Sequence, residues 1–364
     1  NVFVGRFGYP NVNVGLLSSE EKDDNLDNPL KWSREEYGFN RIANLRSSLV
    51  NSRFRSTIAA PRTAKEKLND LAKEISLSQK TVDTEIHLKD MPRFRLSFQG
   101  EASPHGPAVP LAKATITENV RIPTKVDKAV SDPDYKASDA LNDLYRHHFD
   151  EHYLTKVLSV GNLGVRTQRK LVPTRWSITA VDDSLGKGLL DDVKRYTNHV
   201  SHEAYFAEYL GNYFLALFFP GNWSYEFIEN FTFDMEAENP AAGVSSESDS
   251  EGFSGRRSYA QETAGGYYAA RLPVLEFLNK RKRQGSVMLM RFITTDYYAS
   301  LGVWVVRETV RKTLAKKPLE FGCEELMLLY AKKLIRRRFN YDISLLIARS
   351  RLMQAKKQKT LGEF

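Results

Sequence analysis

Three segments of this chain combine arginine, carboxylate, tyrosine and glycine in patterns that suit an anionic ligand. The first is Leu171-Val-Pro-Thr-Arg-Trp-Ser-Ile-Thr-Ala-Val-Asp-Asp183. Its β-branched residues predict a short buried strand over 176–181 that ends in two adjacent carboxylates. Strand ends are where α/β proteins place polar chemistry. Arg175 would meet a phosphate there or pair with an aspartate. Neighbours on a strand point to opposite faces, so Asp182 and Asp183 share a ligand only once the strand has ended. A helix cap near Ser184 plus an ion pair is the competing reading. The second segment, Thr263-Ala-Gly-Gly-Tyr-Tyr-Ala-Ala-Arg271, places two glycines before a helix, where free N–H groups favour an anion. Tyr267 or Tyr268 would stack on a base and Arg271 would bind phosphate; close helix packing explains the glycines equally well. The third, Phe3-Val-Gly-Arg-Phe-Gly-Tyr-Pro-Asn-Val-Asn-Val-Gly15, offers Arg6 and Tyr9 as polar handles. Arg6, Tyr9, Arg175, Asp182, Asp183, Tyr267, Tyr268 and Arg271 thus form a candidate nucleotide or phosphate pocket.

Lys332-Lys333-Leu-Ile-Arg336-Arg337-Arg338 is a basic run on a predicted helix. It suits DNA phosphates and salt-sensitive binding, against the alternative of a solvated face. The tail Gln358-Lys-Thr-Leu361-Gly-Glu-Phe364 has the spacing Q-x-x-h-x-x-aromatic. One turn of 3₁₀ helix puts residues i and i+3 on one face, so Leu361 and Phe364 can fill one apolar pocket. The Gln358 amide would hydrogen-bond beside it. This spacing resembles the sliding-clamp (PCNA) interaction peptide of replication and repair proteins, with one departure: that peptide ends in two adjacent aromatics, and here only Phe364 is present. Lys356, Lys357 and Lys359 would suit an acidic rim or nearby DNA. A frayed polar tail is the plainer alternative. His148-Phe-Asp-Glu151-His152 matches H-x-x-E-H, but no third ligand is evident and a solvated helix face is the default.

The elements that would carry these residues follow from periodicity and turn signals. Residues 2–9 read as a strand with a tight turn, and 33–50 and 61–75 as helices. Strands are expected over 84–88, 94–98 and 114–122, and a helix broken midway over 136–158. A further helix is expected over 185–196. Residues 203–231 read as an antiparallel pair turning at Pro220-Gly221-Asn222. Residues 239–255 lack apolar periodicity and read as a flexible loop. A helix over 266–282, a strand over 287–293 and helices over 305–314, 322–338 and 341–357 complete the chain. The mixed order predicts an α+β fold with mixed sheets. The expected organisation is a body over 1–320, a basic helical segment over 321–357 and a clamp-interaction tail over 358–364.

Composition narrows the function classes. The chain has 364 residues and a net charge of +8. From 307 to 364 there are 15 lysines and arginines against 6 acids, so the basic excess sits in that segment. Cys323 is the single cysteine, which excludes an intrachain disulfide and a cysteine zinc site and fits a reducing cytoplasm. No run of 18 apolar residues predicts a membrane span.

The segments 3–15, 171–183 and 265–271, with Gly302-Val-Trp-Val-Val-Arg307-Glu and the tail, together resemble the archaeal Nre family over nearly the whole chain. The resemblance implies DNA repair in archaea and partnership with the sliding clamp, in the cytoplasm at the nucleoid. Family members often carry an N-terminal cysteine-rich zinc motif, which these residues lack. Two hypotheses follow. One is a clamp-recruited repair factor that binds DNA through Lys332, Lys333, Arg336, Arg337 and Arg338. The other is an enzyme on a nucleotide or phosphate ester, such as a nucleoside monophosphate phosphatase or an ADP-ribose-type hydrolase.

Overall fold

The computed structural model describes residues 1–20, 23, 25–58, 64–93 and 105–357. The expected strand over 94–98 and the tail over 358–364 lie outside them. The fold is α+β, and the chain divides into two compact units, Asn1–Leu185 and Gly186–Phe364.

The first unit contains β1 (Val2–Val4), β2 (Asn11–Ser18), α1 (Pro29–Arg34), α2 (Phe39–Ser47), β3 (Val50–Thr57), α3 (Ala64–Leu77), β4 (Thr84–Leu88), β5 (Ala108–Ile116), α4 (Thr124–Ser131), α5 (Ala137–Arg146), α6 (Glu151–Ser159) and the start of α7 (Thr174–Val193). Among the described residues its sheet runs β1-β2-β3-β5-β4. Alternation sets the faces: Val2, Val4, Val12, Val14 and Leu16 point into a core with Ile75, Leu111, Val160 and Leu171. The helix expected over 33–50 is two. Asn28 caps α1, its side chain accepting the Lys31 N–H at 3.1 Å with Pro29 in the first turn. Glu36 then takes a positive φ of 55° and the chain breaks before α2. The break expected within 136–158 lies between α5 and α6, where Asp150 caps α6 by accepting the Tyr153 N–H at 2.8 Å.

The second unit contains β6 (Thr197–Asn198), β7 (His202–Tyr209), β8 (Asn212–Phe219), β9 (Ser224–Phe233), β10 (Ser245–Glu251), α8 (Ala264–Arg281), β11 (Arg283–Gln284), β12 (Ser286–Thr294), α9 (Trp304–Leu314), β13 (Leu319–Phe321), α10 (Glu324–Phe339), α11 (Ser344–Arg349) and α12 (Arg351–Lys357). Its main sheet runs β10-β9-β12-β8-β7-β13 among the described residues. One face packs on α8 and α9 through Tyr205, Phe214, Phe227, Leu289, Val274 and Val310. The other packs on α10, α11 and α12 through Leu215, Phe219, Met290, Ile335, Ile347 and Leu352. Every residue of β8 is therefore buried, which is why Tyr213–Phe219 runs apolar without alternation.

Two expectations in this region need correction. The antiparallel pair is β7 with β8, joined by Leu210-Gly211, both at positive φ, a two-residue turn whose twist matches the strands. β8 and β9 are not neighbours, because β12 inserts between them, antiparallel to β8 and parallel to β9. Residues 245–251, expected in a loop, form the edge strand β10. Its inward positions hold the buried carboxylates Asp249 and Glu251 instead of apolar groups, so no hydrophobic alternation marks it.

Candidate nucleic-acid interface

The hairpin of β1 and β2 is held by Val2↔Leu16 and Val4↔Val14 pairing, so its tip carries residues 5–10 away from the core. The first residue of α7 docks beside it: Thr174 Oγ1 accepts the Val4 N–H at 2.9 Å. That contact brings the Trp176 and Tyr9 rings to a centroid distance of 5.2 Å. Phe7, Tyr9 and Trp176 remain 77%, 51% and 46% exposed. The Arg6 guanidinium lies 5.0 Å from the Phe7 ring, Arg175 is exposed next to Trp176, and Arg55 is exposed on β3. Arg6, Tyr9 and Arg175 thus fall at one place in the first unit. Sequence reasoning misses Phe7 and Trp176. A tryptophan inside a β-branched run reads as core, and only the position of α7 exposes it.

The strand expected over 176–181 is helical. Pro173 accepts the N–H groups of Trp176 and Ser177, which starts α7. Asp182 and Asp183 therefore sit in mid-helix and end no strand; Asp182 is buried and Asp183 half-buried. His148 lies in the break before α6 with a positive φ of 67°, so it shares no helix face with His152. Among the described residues no group of three or more His, Cys, Asp or Glu is arranged to hold a metal ion.

In the second unit, Tyr267, Tyr268 and Arg271 on α8 are all buried. Arg271 Nη1 donates to Glu251 Oε2 at 3.2 Å, and Trp223 Nε1 donates to Glu251 Oε1 at 3.0 Å. Burial, reinforced by Glu251, holds the Tyr267 hydroxyl well above the usual phenol range. The Tyr268 hydroxyl accepts the Ala260 N–H at 2.9 Å. Gly266 has a packing reason: a Cβ there would lie 3.1 Å from Glu229 Oε1. Glu229 in turn accepts from Arg291 Nη1 at 2.5 Å, and burial raises its carboxyl pKa against that pairing.

The loop after β10 borders two open clefts of about 550 and 420 Å³. Arg256 braces this loop. Its Nε donates to the Ser258 carbonyl at 2.9 Å, Nη1 to Ser250 at 3.1 Å and Nη2 to Tyr259 at 3.1 Å, with Asp249 at 2.8 Å. The larger cleft also exposes Arg257 and Arg351; the smaller has Lys187, Lys194, Asp191 and Arg271 in its lining.

On α10, Met327, Ala331, Ile335 and Phe339 recur at i, i+4 spacing and face the core. Lys333, Arg336, Arg337 and Arg338 are exposed and Lys332 is half-buried. Arg338 Nη2 also donates to the Tyr213 hydroxyl at 2.9 Å. Beyond it, the expected helix over 341–357 is interrupted at Ser350, where α12 begins. Lys356 pairs with Glu324 at 2.5 Å and lies 4.0 Å from the Phe219 ring centroid, so it serves the fold. Gln358, Leu361 and Phe364 lie outside the described residues. No helix among the described residues is long and apolar enough to cross a membrane.

Comparison with known proteins adds the family. The model of the archaeal Nre N-terminal region matches residues 1–234, and that of the archaeal Nre C-terminal region matches 251–364. A protein of Haloferax volcanii named DNA repair protein NreA is 36% identical over 85% of this chain and 76% of its own length. Archaeoglobus fulgidus has two relatives. DNA repair protein NreB is 35% identical over 100% of this chain and 90% of its own. DNA repair protein NreA is 38% identical over 88% and 80% respectively. No solved structure matches significantly. Matched by both family models and by relatives more than a third identical over most of their length, this chain belongs to the archaeal Nre family.

Proposed function

We propose that this chain is an archaeal DNA-repair factor recruited to DNA through the sliding clamp by Gln358, Leu361 and Phe364. The repair role rests on the names of the relatives. The observation that carries the recruitment is where the Q-x-x-h-x-x-F sequence begins: α12 buries Leu352 and Met353 and runs to Lys357, and the peptide spacing starts at the next residue. The peptide brings two apolar anchors and an amide to a pocket. DNA is held by the basic face of α10, the half-buried Lys332 and the exposed Lys333, Arg336, Arg337 and Arg338, while the apolar side of the helix faces the core. The test is calorimetry against a purified archaeal sliding clamp, with the full chain and with a chain ended at Lys357. Binding by the full chain on the order of micromolar is expected, because a short peptide loses conformational freedom on docking. Phe364→Ala should cost about 2 kcal/mol or more, as buried aromatics dominate small interfaces. Equal binding by both chains would overturn the reading.

A second reading, an enzyme acting on a nucleotide or phosphate ester, is favoured by one observation: the cationic clefts beside Arg271 and the Arg256 loop.

A further inference from the structure

The aromatic cluster at the hairpin tip lies far in sequence from both the tail and α10 and has no role in the reading above. Three large rings, Phe7, Tyr9 and Trp176, stand exposed at one place, while most of the chain's aromatic side chains are used in the core. Exposed ring clusters of this kind mark binding surfaces. Their neighbours identify the partner. Arg6 lies against Phe7, Arg175 precedes Trp176 and is exposed, and Arg55 approaches the tip so closely that a Cβ on Gly8 would lie 3.1 Å from its Nη2. A cationic frame around apolar rings is the wrong surface for a purely apolar partner. It is complementary to a chain that alternates flat π faces with anionic phosphates.

We propose that Phe7, Tyr9 and Trp176, framed by Arg6, Arg55 and Arg175, form a stacking platform for the unpaired bases of single-stranded DNA. The rings take the exposed base faces, and the guanidinium groups take the backbone phosphates, which makes binding tolerant of sequence and sensitive to salt. In a duplex the bases are stacked on each other and offer no free face, so the platform selects unpaired DNA. The proposal rests on the DNA-repair reading but is independent of the clamp peptide: platform variants should bind the clamp as the unaltered chain does, and the chain ended at Lys357 should keep its single-strand affinity.

The four tryptophans supply the test. Trp32, Trp223 and Trp304 are 0%, 1% and 4% exposed, whereas Trp176 is 46% exposed, so a change in tryptophan emission caused by a surface ligand reports on Trp176. The full chain is titrated with a thymidine 20-mer and with the same strand annealed to its complement. The single strand should quench the emission and the duplex much less, and Trp176→Phe should remove the quenching. By fluorescence anisotropy, Phe7→Ala and Tyr9→Ala should each weaken single-strand binding by about tenfold. Their thermal midpoints should stay unchanged, since both rings are exposed. Three results would overturn the proposal. One is single-strand binding that leaves the emission and the Phe7→Ala affinity unaltered. Another is no single-strand binding at all. The third is quenching that follows protein concentration without DNA, with dimers in sedimentation, which would make a second copy the occupant.

Discussion

Glu226, buried on β9, accepts the backbone N–H of Leu352 at 3.0 Å, and so binds the first turn of the last described helix to the central sheet. The same carboxylate accepts the Arg351 N–H at 3.2 Å and the Ser350 hydroxyl. The first N–H groups of a helix have no partner within it, and a charged acceptor satisfies them strongly. Glu226→Ala should therefore destabilise the chain by about 1–3 kcal/mol, with loss of amide protection concentrated in 351–357. Urea unfolding and hydrogen exchange measure the two effects. Unchanged protection in α12 would mean that Leu352 and Met353 hold it alone.

Arg271 separates a structural role from a ligand-binding one. Breaking a buried ion pair by removing one partner leaves an uncompensated charge, so Arg271→Ala should cost about 3–5 kcal/mol. If the clefts beside it hold a nucleotide, nucleoside monophosphates should raise the thermal midpoint of the unaltered chain, because a ligand that binds only the native state stabilises it. Arg257→Ala, at an exposed side chain, should then reduce that rise without lowering the ligand-free midpoint. A midpoint that no mono-, di- or triphosphate and no ADP-ribose moves would remove the nucleotide reading.

The basic face of α10 should declare itself through salt. Replacing Arg336, Arg337 and Arg338 by Ala should flatten the dependence of log affinity on log salt, by about 0.9 for each duplex phosphate that is no longer neutralised. Arg338 also donates to Tyr213, so the triple variant should melt slightly lower. Retaining Arg338 and changing the other two isolates the DNA effect. An unchanged slope would place the DNA elsewhere.

His199 gives the chain a pH dependence. Its ring is buried, with Nε2 3.5 Å from Glu203 Oε1, and Glu203 is also held by Arg281 at 2.7 Å. Burial lowers the imidazole pKa below its ordinary 6.5; Glu203 and Glu320 oppose that shift, while Arg281 and Arg283 reinforce it. The unfolded chain therefore takes up this proton first as pH falls. Stability from the neutral ring is complete above about 6.5 and is lost as pH drops below that value. The thermal midpoint should fall between pH 6.5 and 5.5 more steeply in the unaltered chain than in His199→Gln. Parallel curves would assign the acid sensitivity to other groups.

Parts of this molecule are legible in the sequence, and the rest is hidden for identifiable reasons. α8, α9 and α10 are evident because their patterns are local. β12 reads as a strand, but its place between β8 and β9 follows from pairing across more than fifty residues, which no local turn signal carries. α7 passes for a strand because Trp-Ser-Ile-Thr-Ala-Val has the residue types of one; its helix is set by Pro173 and by the docking of Thr174 on Val4. The candidate pocket residues share only their chemical types. In the fold, Tyr9 and Arg175 are exposed and Arg6 half-buried, whereas Tyr267 and Arg271 are buried, a difference that composition does not encode.

If the tail docks on a clamp as proposed, the anchoring of α12 limits how far the chain can stand from it. An extended chain spans at most about 3.5 Å per residue. Only three residue steps separate Gln358 from Leu361, and one peptide bond separates Gln358 from a helix secured at Glu226 and Glu324. With Leu361 seated in its pocket, the end of that helix would lie within roughly 15 Å of the ring surface. The protein would then be held close against the ring: its bulk would shade the adjoining face of that clamp subunit, and another client of the same pocket would have to wait for its departure.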